Sequence, residues 1–476
     1  MISWTAARLR RDGDDEGLTL VEVIVALLVF ATIIAGSIAA VGTVLSMTAD
    51  NREREVASNL AQQAIDVARD EAVTNIVDQD ENVSSPVVND VKFTVRSVVA
   101  WVTTKGIDTK CTVPATSGNG ALLFRRVSVT VTWDGMRGTT KPVRADTVVS
   151  PTSKINDPTL GTVLISVQSV RGTGGVGGVT ASIAPDTTVS PNTATVVPAA
   201  GQPGRTNNDG CTVATKLSPG SYTVTLSPPA GSQYRDPLQA PNPVKRSITV
   251  AAGDSSGASF TYDPAMDAQP SYASNLSGGF AIPKDLTTSF VSSYGATTIT
   301  PPASDVYLSP VPSGYQVYAG LYAPAGTVSP TTGADTSCLS TDPTTWPAKP
   351  GTTLTAPGTA VVDAANPTSP APAPVNMGGT TVTIPKGDTI IQAVTTTPAN
   401  GDPGCKATQT LTITRTGNSG TGTADVKIAL PYGTWGVRSG TSLANLRAVS
   451  LKDVIGGLLG TGTSTNVVTI DPRLAS

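Results

Sequence analysis

Residues 17–47 read GLTLVEVIVALLVFATIIAGSIAAVGTVLSM, and this stretch decides how the chain is organised. It is almost wholly apolar and exceeds the about 20 residues that a helix needs to span a bilayer. One carboxylate, Glu22, lies near its start, although ionisable groups in membrane helices are costly and usually functional. A small residue, Gly17, stands five positions before Glu22. The stretch therefore predicts a membrane helix with a functional carboxylate near its N-terminal end.

The order of glycine, glutamate and long apolar helix resembles the class III signal of type IV pilins and type II secretion pseudopilins. The resemblance implies that a prepilin peptidase cleaves after Gly17 and that the new N-terminus, Leu18, is methylated. It also implies that Glu22 meets the N-terminal amine of a neighbouring pilin subunit in a filament. A plain signal anchor, with a chance carboxylate near the membrane surface, is the alternative.

Residues 1–17 are predicted to be the prepilin leader, and residues 18–47 the transmembrane part of the pilin helix. The cleavage glycine precedes the apolar core, whereas a conventional secretory signal is cut after it. Orientation follows Lys and Arg, and Arg8, Arg10 and Arg11 precede the span, while Arg52 and Arg54 follow it. We expect one pass through the cytoplasmic membrane, with the C-terminal region extracytoplasmic and displayed at the cell surface after assembly.

The amino-acid composition excludes several classes of function. The chain contains no histidine, which removes histidine-based triads, histidine metal ligands and imidazole acid–base steps. Charged residues make up 14% of the 476 residues and the net charge is −3, so no broad basic patch for nucleic acid is expected. No cofactor or metal site is predicted.

The helix is predicted to continue to about Ile76, because apolar side chains recur at helical spacing at Val56, Leu60, Ala64, Val67 and Ala68. Residues 91–101 and 127–133 then alternate apolar and polar side chains, which is typical of half-buried strands. The turn Asp134–Gly135 leads to an edge strand over 142–149. Residues 48–152 are therefore expected to join the second half of the helix to a small antiparallel sheet. The run RRVSVTVTWDG resembles a strand of minor pilins of the type V and pseudopilin type I group.

Residues 160–265 are predicted to form a separate β-sandwich, because short strand candidates follow one another between turns. The run DGCTVATKLSPGSYTVTLS, residues 209–227, resembles prealbumin-like or carboxypeptidase-regulatory-like domains. That resemblance implies a spacer or binding module and no particular chemistry. The predicted strands are 163–167, 179–183, 193–197, 211–217, 221–226, 246–250 and 259–262.

Residues 272–476 are predicted to be a further β-rich domain, with a Pro/Thr-rich loop or linker over 347–374. The predicted strands are 316–321, 380–384, 389–394, 408–414, 426–430 and 467–470. The fold class is thus α+β: a long N-terminal membrane-spanning helix packed on a small antiparallel sheet, followed by all-β sandwich-like domains.

The four cysteines lie too far apart in sequence for a zinc site, and an oxidising exterior would let them form disulfides. Cys338 and Cys405 belong to the same β-rich region, and their bridge would close a loop around the Pro/Thr-rich segment. Pairing of Cys111 with Cys211 is a weaker candidate, since either can be a free thiol. Four cysteines allow three connectivities, and sequence does not choose among them.

These features together predict a minor pilin, or pseudopilin-like subunit, of a type IV filament system, with external β domains for adhesion or interaction. Its partners would be a prepilin peptidase, other pilin subunits and the cytoplasmic membrane, while the external ligand is unknown. The alternative is a membrane-anchored surface adhesin that never joins a filament. We expect no enzyme activity. A secreted hydrolase is disfavoured by the missing histidine, although the sequence leaves open a pair of carboxylates for glycoside hydrolysis.

Processing at Gly17 is open to a direct test. The Gly17→Val variant should stay full-length in the membrane, because the branched side chain replaces the small residue on the leader side of the cleaved bond. Wild-type protein from cells with an active prepilin peptidase should begin at Leu18 in N-terminal mass spectrometry. An intact wild-type N-terminus in such cells would contradict the prediction.

Overall fold

The computed structural model describes residues 20–74, 82–103, 108–109, 120, 122–136, 141–149, 157–349, 351, 353, 358, 360–362, 370–416, 420–455, 458–459 and 466–474. One long N-terminal helix is followed by many strands, most of them antiparallel, so the α+β layout with a β-rich C-terminal region is confirmed. The chain divides into two compact units. Among the described residues, unit 1 is 20–74, 82–98, 126–136 and 141–149, and unit 2 is the remainder.

The first part of the chain forms one helix and one antiparallel sheet. In the sheet the strand order is β1-β3-β5-β6, and two short strands, β2 and β4, pair with β3. The elements are α1 (Leu20–Thr74), β1 (Asn82–Ser84), β2 (Val87–Val88), β3 (Val91–Thr103), β4 (Asp108–Thr109), β5 (Leu122–Trp133) and β6 (Val143–Val149).

Helix α1 runs for 55 residues without interruption, which corresponds to about 80 Å. No proline occurs in it, and its two glycines, Gly36 and Gly42, are the weakest helix formers present. The predicted end near Ile76 lies outside the described residues, since the described helix ends at Thr74. The change from apolar to polar sequence near residue 50 therefore does not break the backbone.

The second half of α1 buries a stripe of mostly small side chains. Ala57, Ala61, Ile65 and Ala68 are 0–7% exposed, and their spacing of four, four and three residues lies on one helix face. The predicted stripe is correct at Ala68 and is displaced by one position before it. Val56, Leu60 and Ala64 are only half-buried, and Val67 is 51% exposed. Alanine side chains allow the helix backbone to approach its neighbours closely, so the smaller residues take the buried face.

The predicted alternation is present along β5 and in the first half of β3, but it is lost towards the end of β3, where Trp101, Val102 and Thr103 are all buried. Along β5, Val127, Val129, Val131 and Trp133 are buried, while the intervening residues are partly exposed. In β3, Phe93 and Val95 take the buried face, and the Phe93 ring lies 6.2 Å from that of Trp133. Their apolar faces form the core of unit 1, together with the buried face of α1.

The next part of the chain forms small sheets of order β12-β10-β8, β13-β7-β9 and β11-β14. Side chains from the first two sheets share one apolar core. In the second sheet β13 pairs in parallel with β7, whereas β9 is antiparallel to it. The strands are β7 (Gly161–Gln168), β8 (Thr180–Pro185), β9 (Cys211–Leu217), β10 (Gly220–Ser227), β11 (Tyr234–Arg235), β12 (Val244–Val250), β13 (Ser255–Thr261) and β14 (Asp263–Pro264).

The prediction of a strand over 193–197 is wrong, because these residues do not form a strand. Its backbone is bonded to side chains in place of a strand partner. The N–H of Ala194 donates to Asn192 Oδ1 over 3.0 Å, and the N–H of Thr195 donates to Ser218 Oγ over 2.9 Å. Side chains of this kind offer the backbone an alternative to a sheet ladder.

The remaining strands surround a second, larger core. Their sheets have the orders β18-β15-β21, β17-β16-β19-β20, β25-β22-β28 and β24-β23-β26-β30-β29, with β27 paired to β26. The strands are β15 (Met266–Tyr272), β16 (Thr288–Ser292), β17 (Gly295–Ile299), β18 (Val306–Leu308), β19 (Tyr315–Ala319), β20 (Ala360–Val362), β21 (Ala371–Val375), β22 (Gly378–Pro385), β23 (Ile390–Thr395), β24 (Thr410–Thr414), β25 (Thr423–Leu430), β26 (Gly433–Gly440), β27 (Arg447–Ala448), β28 (Ser450–Ile455), β29 (Leu458–Leu459) and β30 (Val467–Ile470).

The hydrogen bonds of the Tyr222 hydroxyl offer a test of stability. Tyr222 lies in the core shared by the sheets β12-β10-β8 and β13-β7-β9. Tyr222 is 0% exposed, and its hydroxyl contacts the Ser218 carbonyl at 3.0 Å and Ser218 Oγ at 2.9 Å. The Tyr222→Phe variant keeps the ring but loses these bonds, and it should be less stable by about 1 kcal/mol. Denaturant unfolding of the full chain in detergent measures the change. Tyr294→Phe, which alters a ring that is 50% exposed, is the matched control and should unfold like wild type; equal loss in both variants would contradict the prediction.

Candidate functional site

The first half of α1 exposes its apolar side chains in every direction. Between Leu20 and Met47, the large apolar residues are 42–77% exposed. A helix that is apolar all round is stable only in an apolar environment. Among the described residues, this helix is long and apolar enough to cross a membrane, with a mean hydropathy of 2.7 over its best window. These properties are compatible with a single-pass membrane anchor.

The hydroxyl groups in this half of α1 are satisfied within the helix. Each donates to a backbone carbonyl three or four residues earlier, so no hydroxyl in the set needs a partner from solvent. Such bonds allow Ser and Thr to lie in a hydrocarbon environment. The bonds are Thr32 to Val29, Ser37 to Ile33, Thr43 to Ala39, Ser46 to Thr43 and Thr48 to Val44, at 2.8–2.9 Å.

A cluster of charged residues over 50–55 marks the change of environment along α1. One arginine of this cluster and one further along the helix bond α1 to the segment that contains β6. Arg54 Nη2 donates to the Lys141 carbonyl over 3.1 Å, and Arg69 Nη2 donates to Thr147 Oγ1 over 2.6 Å. The charged cluster therefore marks both the end of the apolar half of α1 and the start of the half that packs on the sheet.

The predicted assembly residues fall at the beginning of this helix. Glu22 lies in the first described turn of α1. Gly17 and Leu18 lie outside the described residues. The structure therefore places Glu22 on the helix and leaves the processing and methylation positions as predictions.

The cysteines lie apart from the helix in sequence. Cys338 and Cys405 form a disulfide that closes a sequence separation of 67 residues. Gln409 Nε2 lies 3.2 Å from each of the two sulfur atoms. Cys211 is also disulfide-bonded, and Cys111 lies outside the described residues. Within the described residues no group of three or more His, Cys, Asp and Glu is placed to hold a metal ion.

Sequence reasoning missed several buried carboxylates that organise unit 2. Asp471 accepts two hydrogen bonds of 2.8 Å from Arg473, and neither side chain is more than 1% exposed. The Arg473 guanidinium also donates to the Pro347 and Asn400 carbonyls and lies 5.2 Å above the Trp346 ring. Because both charges are paired and hydrogen-bonded, their burial is tolerated. These residues fix loops in the β-rich region and do not suggest a reaction.

Three Asp-Pro dipeptides in the sequence mark turns in unit 2. Asp342, Asp402 and Asp471 each precede a proline. Each accepts, at 2.9 Å, a hydrogen bond from the backbone N–H two residues later. Aspartate caps turns in this way, and proline fixes the following backbone angle. The repeated dipeptide therefore predicts capped turns.

No family model matches the chain, and no curated protein matches it. Among solved structures, the Bacillus anthracis TIE protein is 11% identical, with a TM-score of 0.18, and the match covers 79% of this chain and 71% of that chain. A streptococcal ancillary pilin is also 11% identical with a TM-score of 0.18, and the match covers 43% of this chain and 69% of that chain. Similarity at this level carries no argument about fold or function.

Asp186 caps a similar turn, although no proline follows it, because it accepts a hydrogen bond from the Thr188 N–H. The contribution of this cap to stability should depend on pH. Hydrogen bonds from the Thr188 side chain and backbone, assisted by the Ser247 N–H and Arg246, lower the pKa of Asp186 from 3.8 to about 2. A lowered folded-state pKa stabilises the protein above pH 3.8, and that contribution is lost as the pH falls towards 2. The Asp186→Asn variant should melt below wild type at pH 7, and the difference should shrink as the pH falls towards 2.

Thermal unfolding between pH 7 and about pH 2 measures this difference. Asp134→Asn alters an exposed turn residue and is the matched control. A melting difference for Asp186→Asn that is the same at both ends of the pH range would contradict the assignment.

Proposed function

We propose that this chain is a minor pilin, or pseudopilin-like subunit, of a type IV filament system. The observation that carries the proposal is one uninterrupted helix whose first half is apolar on all sides and whose second half buries an alanine-rich stripe against its own unit. The first half suits lipid or a bundle of identical helices, and the second half holds a folded unit at its end. The predicted prepilin motif at Gly17, Leu18 and Glu22 precedes and begins this helix.

In the proposed pathway the peptidase removes residues 1–17 and exposes Leu18 as the mature N-terminus. The amine and the Glu22 carboxylate would then need partners in an apolar environment. Pairing of Glu22 with the amine of the next subunit satisfies both charges at once, so the carboxylate favours assembly. Methylation of Leu18 keeps the amine charged.

The β-rich region would lie outside the cytoplasmic membrane and present the subunit's interaction surface. The disulfide between Cys338 and Cys405 is consistent with an oxidising exterior. No catalytic step is part of the proposal. The region would act as a binding or adhesion module whose ligand is set by loops and sheet edges.

The role of Glu22 separates a filament subunit from a simple membrane anchor. In the Glu22→Val variant, membrane partitioning should improve, by no more than the roughly 2.5–3.5 kcal/mol of a charge at the centre of a span. Processing should continue, but incorporation into filaments should fall, because the neighbouring amine loses its counter-charge. Quantitative blotting of sheared filaments and of membranes from the same cells measures both quantities.

Thr32→Val is the matched control, because it removes a polar group from the same half of α1 without removing a charge. It should assemble like wild type. Equal incorporation of Glu22→Val and wild type would contradict the filament role and favour a surface adhesin that stays in the membrane.

A further inference from the structure

Strand β17 forms an outer edge of the sheet β17-β16-β19-β20. The N–H of Gly320 donates to the Thr287 carbonyl over 2.7 Å, which fixes the alternation of bonds between β16 and β19. Alternate residues of an antiparallel strand bond to opposite neighbours. It follows from the β16–β17 register that Thr297 bonds to β16, whereas the backbone groups of Ala296 and Thr298 face outward. Among the described residues no strand pairs with that outer edge.

Three other edge strands among the described residues of unit 2, β8, β12 and β24, are protected. On β8, the Gln202 side chain both accepts from the Ile183 N–H and donates to the Ile183 carbonyl, each over 2.9 Å, in place of a neighbouring strand. On β12, Ser247 has a φ of 58° and interrupts the regular edge. On β24, the Thr412 N–H is capped by Asp285 Oδ1 at 2.6 Å. Proteins protect edge strands in such ways because open edges pair with other chains.

Strand β17 lacks these protections. Residues 286–304 contain no Lys, Arg, Asp or Glu. Gly295, Ala296 and Thr298 are exposed, and Tyr294 in the adjoining turn is 50% exposed. Pro301 and Pro302 limit the length of the edge but do not cover it. The result is a short, neutral, regular strand with unpaired backbone groups.

We propose that β17 pairs antiparallel with β17 of a second copy of this chain. A two-fold axis at Thr297 places Ala296 opposite Thr298 of the partner subunit, so the outward backbone groups of both residues bond across the interface. Thr297 then faces Thr297 of the partner subunit as a pair without mutual backbone bonds, with Cα atoms about 4.5 Å apart. Threonine pairs across strands are favourable, and the symmetric contact uses the same surface on both copies.

Two features favour a second copy over another extended segment. The edge is self-complementary, because a neutral strand placed against itself brings no like charges together. An anchor such as α1 would also confine copies to one membrane, which raises their effective concentration. This contact lies in the β-rich region and does not depend on the filament role proposed for α1.

Cross-linking of the full chain in membranes tests the pairing. The Thr297→Cys variant should form a disulfide-linked dimer on mild oxidation, because directly opposed residues at this spacing meet the geometry of a disulfide. Thr331→Cys, which places a thiol on another exposed segment of unit 2, is the matched control and should not form one. Non-reducing electrophoresis with mass spectrometry identifies the linked chains. Absence of a dimer, or linkage of Thr297→Cys only to a different protein, would overturn the proposal.

A charge exchange tests the register without disturbing the fold. Adding Ala296→Lys and Thr298→Lys to Thr297→Cys places like charges directly opposite each other and should abolish the dimer. Ala296→Asp with Thr298→Asp should abolish it in the same way. Co-expression of the two charged forms should restore a mixed dimer, since each lysine then faces an aspartate. Undiminished dimer in either charged form alone, or no mixed dimer, would contradict the pairing.

Discussion

The backbone hydrogen bonding of α1 continues without a break from its apolar half into its polar half. In hydrocarbon no water is available to backbone N–H and C=O groups, so a spanning segment must satisfy them internally. A helix does this, and the hydroxyls of Thr32, Ser37 and Thr43 bond to earlier carbonyls within it. The same ladder continues through the charged residues at 50–55 into the half that packs on the sheet. One element can therefore serve as an anchor and as part of a folded core.

The two β-rich cores are stabilised differently from unit 1. Apart from α1, the described residues contain only strands, short 3₁₀ turns and loops. The loops are fixed by buried carboxylates, such as Asp388, which accepts from Ser439 Oγ and Arg447 Nη2. A disulfide adds a covalent closure at Cys338 and Cys405. These polar contacts and the disulfide add to the packing of the apolar core of this region.

Hydrophobic periodicity in the sequence predicted the helix and strands that have one solvent-exposed and one buried face. Helix α1 and strands β3 and β5 were predicted because their patterns are long and regular. The buried stripe of α1 includes Ala68 as predicted but is displaced by one position before it. Hydrophobicity ranks Val56 and Leu60 above Ala57 and Ala61, whereas close packing favours the smaller side chains. Local side-chain bonding at 193–197 could not be separated from a strand by pattern.

Strands and loops that are stabilised by contacts with distant parts of the chain were not predicted from the sequence. Strand β15 occupies 266–272, at the predicted boundary between two domains, and its apolar residues are too few to show a pattern. Strand β26 begins directly after Pro431 and Tyr432, and its Trp435 is buried in the core. The partners of Asp388, which are Ser439 and Arg447, come from a distant part of the chain, so no sequence spacing reveals them. The helix position of Glu22 was predictable, and its assembly role stays a proposal.

The central claim is that one continuous helix places its halves in different surroundings. Spin labels on Phe30→Cys, Ala61→Cys and Gln62→Cys variants, reconstituted in bilayers, test it through their accessibility to oxygen and to a water-soluble nickel reagent. We expect the label at residue 30 to respond to oxygen, the label at 62 to the nickel reagent, and the label at 61 weakly to both. A nickel response at residue 30 equal to that at residue 62 would contradict the account.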